Sequence, residues 1–259
     1  TKLNKQYFIN FIENQNCSLK QKNQILKELK TFFNWCIKEG YIYYSPMVGI
    51  TKYKTDKPKM KFWTTNDLKK FLDTINNCIE NNIHKETAYR TKILTLIGFT
   101  LGDRIGETRA LTFDMFNEET KSVSILHSIN YNKDSQDFVS HTKTYQSQRV
   151  IDITDKLLNE INSYKYFLIH ELGYEVNDNE LIFLNRATNK PLSDTSLRND
   201  FYYFCNKANV EKIRMYDLRH TYVATMMEEG KELYHISERL GHSNYSTTVN
   251  HYGHLSTKI

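Results

Sequence analysis

Residues 122–153 read SVSILHSINYNKDSQDFVSHTKTYQSQRVIDI, and here the spacing of apolar residues changes from helical to alternating. SVSILHSI (122–129), FVSHT (138–142) after the polar turn NKDSQD, and RVIDI (149–153) alternate like strands, most clearly in Val123, Ile125 and Ile129 and in Ile151 and Ile153. That period predicts a small three-stranded antiparallel sheet. On both sides the period is that of helices. Thr64 and Thr65 open a helix with Leu68, Phe71, Leu72, Ile75 and Ile79 on one face, and residues 89–101 form another apolar segment. From Leu157 onward the helical period returns and continues to the end. There is no internal repeat and no Gly-rich phosphate loop. The fold class expected is mainly α with a small antiparallel β-sheet (α+β).

The first quarter of the chain reads as a separate helical module. Ser18 with Gln21 has the spacing of a capping box. Leu26, Leu29, Phe33, Cys36 and Ile37 follow at three- and four-residue steps, and Gly40 and Ser45-Pro46 end the helix. Phe8, Ile9, Phe11 and Ile12 suggest a further helix upstream, entered partway along. Residues 51–61, TKYKTDKPKMK, are lysine-rich and offer little to a core, which reads as a linker. The expected division is a helical module over 1–50, a basic linker over 51–61 and a larger domain over 62–259.

Charge follows the same division. Residues 1–61 hold twelve lysines against four carboxylates, while the whole chain carries a net +5, so the remainder is net acidic. A basic stretch of this kind tracks a phosphate backbone or forms a solvated surface. Lys20, Lys22, Lys27, Lys30 and Lys38 fall on outward positions. Lys20, Lys22, Lys52, Lys54, Lys57 and Lys59 are the candidate DNA contacts. Four widely spaced cysteines, without a C-x-x-C pair, read as free thiols and exclude a disulfide framework or a cysteine zinc site. No apolar run approaches a membrane span and no signal peptide opens the sequence.

Four joints between elements carry reactive or cationic groups. LGDRIGETRAL (101–111) holds Arg104, with Glu107 one turn on. HTKTYQSQR (141–149) places Lys143 in a hairpin, MYDLRHTYVATMM (215–227) places Arg219 near a helix start, and LGHSNYSTTVNHYGHL (240–255) sets His242, His251 and His254 around Tyr252. Singly, each reads most simply as a surface arginine, a solvated lysine or a cap. The three histidines also admit a metal site by residue type, although no carboxylate or cysteine stands beside them in that stretch.

Taken together and in this order, the four joints resemble the tyrosine recombinase, or phage integrase, family. Arg104 lies in a G-x-R-x-x-E box (102–107), Lys143 in a strand-turn lysine box, and Arg219 in an H-x-L-R-H-T box that here begins with Tyr216. His242 and Tyr252 lie in an L-G-H-x(9)-Y-x-H box. The resemblance spans nearly the whole chain, since Ser18–Pro46 is similar to the family's core DNA-binding module. It implies a helical core-binding domain (1–50) followed by a catalytic domain (62–259), acting as a metal-independent, cofactor-free site-specific DNA recombinase.

In that chemistry Tyr252 attacks the scissile phosphate to give a 3′-phosphotyrosyl link. Arg104 and Arg219 grip the non-bridging oxygens as planar donors. His242 adds a third donor, Lys143 protonates the departing 5′ oxygen, and Glu107 orients the first arginine box. Tyr216 stands where the family has His; a phenol can donate a hydrogen bond to the phosphate but is a poor proton shuttle near neutral pH. His251 and His254 pack or contact DNA beside the nucleophile.

The partners implied are double-stranded DNA attachment sites and three further copies of the chain, in a tetramer formed on DNA from monomers. Accessory DNA-bending or directionality factors and a cytoplasmic, nucleoid-associated setting go with them; no membrane is involved. A catalytically silent DNA-binding module and a type IB-like topoisomerase are the alternatives. The start without Met suggests a trimmed arm-binding domain, and the few residues after Tyr252 suggest a short C-terminal tail.

Overall fold

In a computed structural model, residues 4–55, 60–131, 137–141, 148–241 and 245–256 are described. They form two compact units, Thr1–Lys59 and Met60–Ile259. The first contains α1 (Lys5–Glu13) and α2 (Leu19–Lys38). The expected capping box is present: Gln21 N–H donates to Ser18 Oγ at 3.3 Å, and Ser18 N–H donates to Gln21 Oε1 at 2.9 Å. Phe8, Ile12, Leu26, Phe33, Met47 and Ile50 make its core, with the Phe8 and Phe33 rings edge to face. Within the lysine-rich stretch the Asn23 amide clamps Tyr53, donating to its carbonyl at 2.9 Å and accepting its N–H at 2.8 Å. Residues 51–55 therefore return to α2, while Met60 and Trp63 pack in the second unit.

The second unit is built around α4 (Lys85–Leu101), which is buried on most of its faces. A helix so enclosed carries mostly apolar or small residues, which is why 93–101 reads as an apolar run, while Arg90 and Lys92 pair with Asp200 and Glu160. α3 (Thr65–Glu80) starts at a Thr64–Asp67 capping box and lays Leu68, Phe71 and Ile75 into the core. α6 (Asp155–Tyr166), α7 (Asp194–Lys207) and α8 (Asp217–Glu228) also pack on α4. At Gly98 a Cβ would meet Leu218 Cδ1 at 3.1 Å, so the small residue sets how closely α4 and α8 approach. Short α5 (Ile105–Arg109) follows α4, while α9 (Leu233–Arg239) and α10 (Tyr245–Ser256) end the described chain.

The strands differ in detail from the expected single sheet. β1 (Phe116–Asn117), β2 (Ser122–Ile125) and β5 (Arg149–Asp152) make one antiparallel sheet in the order β1-β2-β5, with Val123 opposite Ile151. β3 (His127–Tyr131) and β4 (Asp137–His141) form a separate ribbon. The stretch 122–129 therefore breaks at the exposed Leu126, and its halves pair with different partners. Alternation reports which face is buried and not which strand lies alongside. The helical run expected after Leu157 is likewise interrupted, by a small ribbon of β6 (Leu184–Asn185) and β7 (Lys190–Pro191). Among the described residues no helix is long and apolar enough to cross a membrane.

Candidate active site

Two left-handed glycines mark the entrances to the site. Gly102 (φ +59°) ends α4 and turns the chain into the arginine box; Gly241 (φ +64°) follows α9 and begins the L-G-H box. A Cβ on Gly102 would lie 2.7 Å from the Tyr222 ring and 2.8 Å from the Leu240 side chain, so both space and φ demand glycine there. Arg219, in the first turn of α8, reaches both turns: Nη1 donates to the Gly102 carbonyl at 2.6 Å and Nη2 to the Leu240 carbonyl at 3.0 Å. It is 1% exposed. Burial lowers its pKa, as does Arg104, against the pull of Tyr216, Tyr252 and Glu107. These five groups share one electrostatic neighbourhood.

Arg104 is the N-cap residue of α5, in extended conformation, with its side chain 42% exposed. Glu107 lies beneath it and is buried. Its carboxylate accepts from Arg104 Nη1 at 2.7 Å, from the Arg104 N–H at 3.1 Å and from Arg149 Nη2 at 3.0 Å. Burial alone would raise this carboxyl, but Arg149, the Arg104 N–H and the Arg104 guanidinium hold it below the usual range. Neighbouring Asp103 goes the other way. Burial and the Glu107 charge push it up to about 7, against the Thr108 hydroxyl, Arg149 and Arg219. Two buried carboxyls this close favour one charge, and Glu107 keeps it.

Arg149, at the start of β5, braces this layer. Besides Glu107 it donates from Nε to the Arg239 carbonyl at 3.0 Å, and a Cβ at Gly241 would meet its guanidinium at 3.2 Å. α5 also lies tightly on β3, since a Cβ at Gly106 would come within 2.8 Å of the Ile129 carbonyl. The arginine box is thus fixed to the hairpin strands.

Tyr252 and Thr248 lie one turn apart on α10 and share its buried face. Thr248 Oγ1 donates to Ser237 Oγ of α9 at 2.9 Å, while the Tyr252 ring packs with Tyr222, Val223, Met227, Ile236 and Leu240. Tyr252 is 2% exposed. Its hydroxyl lies 2.7 Å from His220 Nδ1 and also bonds the Arg219 side chain. Burial raises the phenol well above its ordinary value despite Arg219. Tyr216, at the N-cap of α8, is 42% exposed and sets its ring edge-on to His220, centroids 5.1 Å apart.

Of the residues marked from the sequence, Arg219 and Tyr216 lie around the buried Tyr252 hydroxyl, and Arg104 stands in the electrostatic neighbourhood of Arg219. Lys143 and His242 lie outside the described residues, as do Lys57 and Lys59. Lys20, Lys52 and Lys54 are exposed in the first unit; Lys22 donates to the Glu13 carbonyl at 2.7 Å, closing the end of α1. His251 is exposed beside the Tyr252 ring. Among the described residues no group of three or more His, Cys, Asp or Glu could hold a metal ion. His220, Asp217 and Arg149 escape the sequence reading, although the Arg219-His220 dipeptide and the end of the lysine stretch contain two of them.

A helical domain with small antiparallel sheets, carrying a half-exposed arginine after a glycine turn, a buried arginine at a helix start and a helix-borne tyrosine, is the architecture of the tyrosine recombinases. Residues 61–258 match the phage integrase family, and the chain belongs to it. It is similar to the ICEBs1 integrase of Bacillus subtilis (strain 168), with 30% identity over 246 residues, covering 92% of this chain and 62% of that protein. This chain thus spans less than two thirds of that relative's length. A XerC-like tyrosine recombinase of Caldanaerobacter subterraneus is 27% identical over 98% of this chain and 67% of its own length. Among solved structures, the Tn1549 transposon integrase in complex with a circular intermediate DNA gives a TM-score of 0.73 at 19% identity, covering 96% of this chain and 79% of that one. XerH recombinase bound to difH substrate gives 0.71 at 20% identity, over 99% and 70%. These two likenesses show the shared fold.

Proposed function

We propose that this chain carries the catalytic part of a site-specific recombinase that cuts and rejoins double-stranded DNA through a 3′-phosphotyrosyl intermediate. The observation that carries the reading is the Tyr252 hydroxyl, held by His220 and Arg219 at the meeting point of the arginine, L-R-H and tyrosine boxes. Such a reaction asks for a nucleophile, donors for the phosphoryl oxygens and an acid for the leaving oxygen, with no metal or cofactor. Tyr252 is the nucleophile. Arg104 presents the accessible guanidinium, Arg219 the buried one, and His242 a third donor. Lys143 gives its proton to the 5′ oxygen.

DNA as partner is supported by the relatives solved with it, the Tn1549 integrase and XerH. The test is a nicked duplex of the sequence that the chain selects from a random pool. Wild-type protein in a chelating buffer should yield an adduct that survives denaturing electrophoresis; no adduct would refute strand cleavage. On paired duplexes we place four copies, with DNA-bending or directionality factors as accessory partners. Light scattering should read a monomer without DNA, and a stable tetramer without DNA would count against this assembly.

Residues 1–50 and the following lysines serve here as the core DNA-binding module and linker. Replacing Lys20, Lys52 and Lys54 by Gln removes three exposed charges. For each phosphate that is no longer neutralised, the slope of log affinity against log salt should flatten by about 0.9. An unchanged slope would take these lysines off the DNA.

Tyr216 serves as a hydrogen-bond donor to the phosphate. Tyr216→Phe keeps the ring against His220 and removes the hydroxyl, so cleavage should slow by roughly ten- to a thousandfold, the scale for losing one such donor. Tyr216→His should retain or raise activity. Wild-type cleavage by the Phe variant, at equal DNA occupancy, would remove Tyr216 from the site.

A further inference from the structure

We propose that His220 is the base that takes the phenolic proton of Tyr252 when a strand is cut and returns it when the strand is rejoined. The proposal rests on Tyr252 being the nucleophile. Its geometry sets a nucleophile against one nitrogen of a base and a buried carboxylate near the other. Tyr252 Oη is 2.7 Å from His220 Nδ1, and the far ring nitrogen, Nε2, faces Asp217 Oδ1 at 3.8 Å. Asp217 is buried and is held from outside by Arg214, which donates its N–H at 2.8 Å, Nε at 3.1 Å and Nη2 at 2.7 Å. A carboxylate on the Nε2 side favours the proton there, which leaves the Nδ1 lone pair for the phenol.

The surroundings keep the imidazole neutral. Burial, Arg214, Arg219 and His251 outweigh Asp217 and bring its pKa down to about 4. Across neutral pH the ring therefore has an acceptor to offer. Tyr216 sets its ring edge-on to the imidazole, 5.1 Å between centroids, and it is His220 whose nitrogen lies within hydrogen-bond reach of the Tyr252 hydroxyl. An entering phosphate brings negative charge, which favours the imidazolium as the proton arrives.

In cleavage, the Tyr252 Oη–P bond forms as the P–O5′ bond breaks. The phenolic proton passes to Nδ1, and O5′ leaves with the bonding pair and accepts a proton from the acid on its own side, Lys143. In rejoining, the 5′ hydroxyl gives its proton back to Lys143 as O5′ attacks phosphorus, the P–Oη bond breaks, and Nδ1 hands its proton back to the phenolate. Both steps are redox-neutral and conserve protons.

The test is single-turnover cleavage of the selected nicked duplex by wild type, Tyr252→Phe and His220→Asn. Asn can still bond the phenol but cannot take its proton. His220→Asn should bind DNA normally and cleave roughly a hundred- to ten-thousandfold more slowly. Its rate should climb with pH where the wild-type rate is flat, since hydroxide then removes the proton. A 5′-bridging phosphorothiolate, whose sulfur leaves without an acid, should not restore it. Wild-type rate and pH profile in His220→Asn, or rescue by the phosphorothiolate, would overturn the assignment. Should that variant fail to fold, nitrogen-15 NMR of the histidine rings in the wild-type protein decides: the Nε2–H tautomer of His220 supports the proposal and the Nδ1–H tautomer sinks it. An adduct that persists in Tyr252→Phe, or none in the wild type, refutes the nucleophile instead. An adduct lost in Tyr252→Phe with His220→Asn unimpaired refutes only the base.

Discussion

Tyr252→Phe is expected to bind the selected duplex like the wild type and to form no covalent adduct at all. The substitution removes one oxygen and leaves the ring in its pocket among Tyr222, Val223, Met227, Ile236 and Leu240. What the fold loses is the hydrogen bond to His220 Nδ1 and the one to Arg219. Leaving such partners unsatisfied costs about 1–3 kcal/mol, a melting-temperature drop of roughly 2–4 °C per kcal/mol at this chain length. The variant should therefore be folded at room temperature, and an inactive but folded protein isolates the chemistry. The other tyrosines of the eighteen in the chain offer alternative hydroxyls, but that of Tyr252 is the one bonded to both a histidine and Arg219 among the described residues. An adduct in Tyr252→Phe, mapped to another tyrosine by peptide mass, would refute the assignment. Because Tyr252 is buried, its phenol has to become accessible for attack, so adduct formation should lag behind DNA binding in stopped-flow traces.

How much of this could be read from residues alone depends on the range of the interaction. The Ser18–Gln21 and Thr64 caps are set by neighbours three residues apart, and they form as the sequence says. Gly40 (φ +77°) ends its helix for an equally local reason. The joints carrying Arg104, Arg219 and Tyr252 were legible because each box is a contiguous string. The break at Leu126 was not, since β2 and β3 satisfy the same alternation and only their partners, β5 and β4, distinguish them. His220 was hidden for a similar reason. A histidine inside a helix is ordinary until a hydroxyl 32 residues further on is set against it. Arg149 stands at the end of the HTKTYQSQR stretch, yet its meaning comes from Glu107, 42 residues earlier, and from the Arg239 carbonyl, 90 residues later. Local chemistry names the parts; long-range packing assigns what they hold.

Arg219→Lys should keep the charge and lose the site. The guanidinium is a planar fork, and here its two Nη atoms diverge to carbonyls far apart in sequence, Gly102 and Leu240. An ammonium is a single point on a flexible stem and cannot span both. One of the two buried carbonyls then loses its partner, at a cost of about 1–3 kcal/mol, and the two glycine turns are no longer fixed to each other. Those turns carry Arg104 on one side and lead to His242 on the other, so loosening them should disperse the proposed phosphate donors as well as removing one. Cleavage should fall by at least the hundred- to thousandfold typical of losing a single oxyanion-type donor, with melting lowered by several degrees. DNA affinity should change little, because net charge is retained and the exposed lysines of the first unit are untouched. Arg104→Lys is the informative contrast. Arg104 is half exposed and bonds a local partner, Glu107, so its loss should slow cleavage without lowering the melting temperature comparably. If Arg219→Lys melts and cleaves like the wild type, the guanidinium is not the brace between the two turns, and its role at the phosphate falls with it.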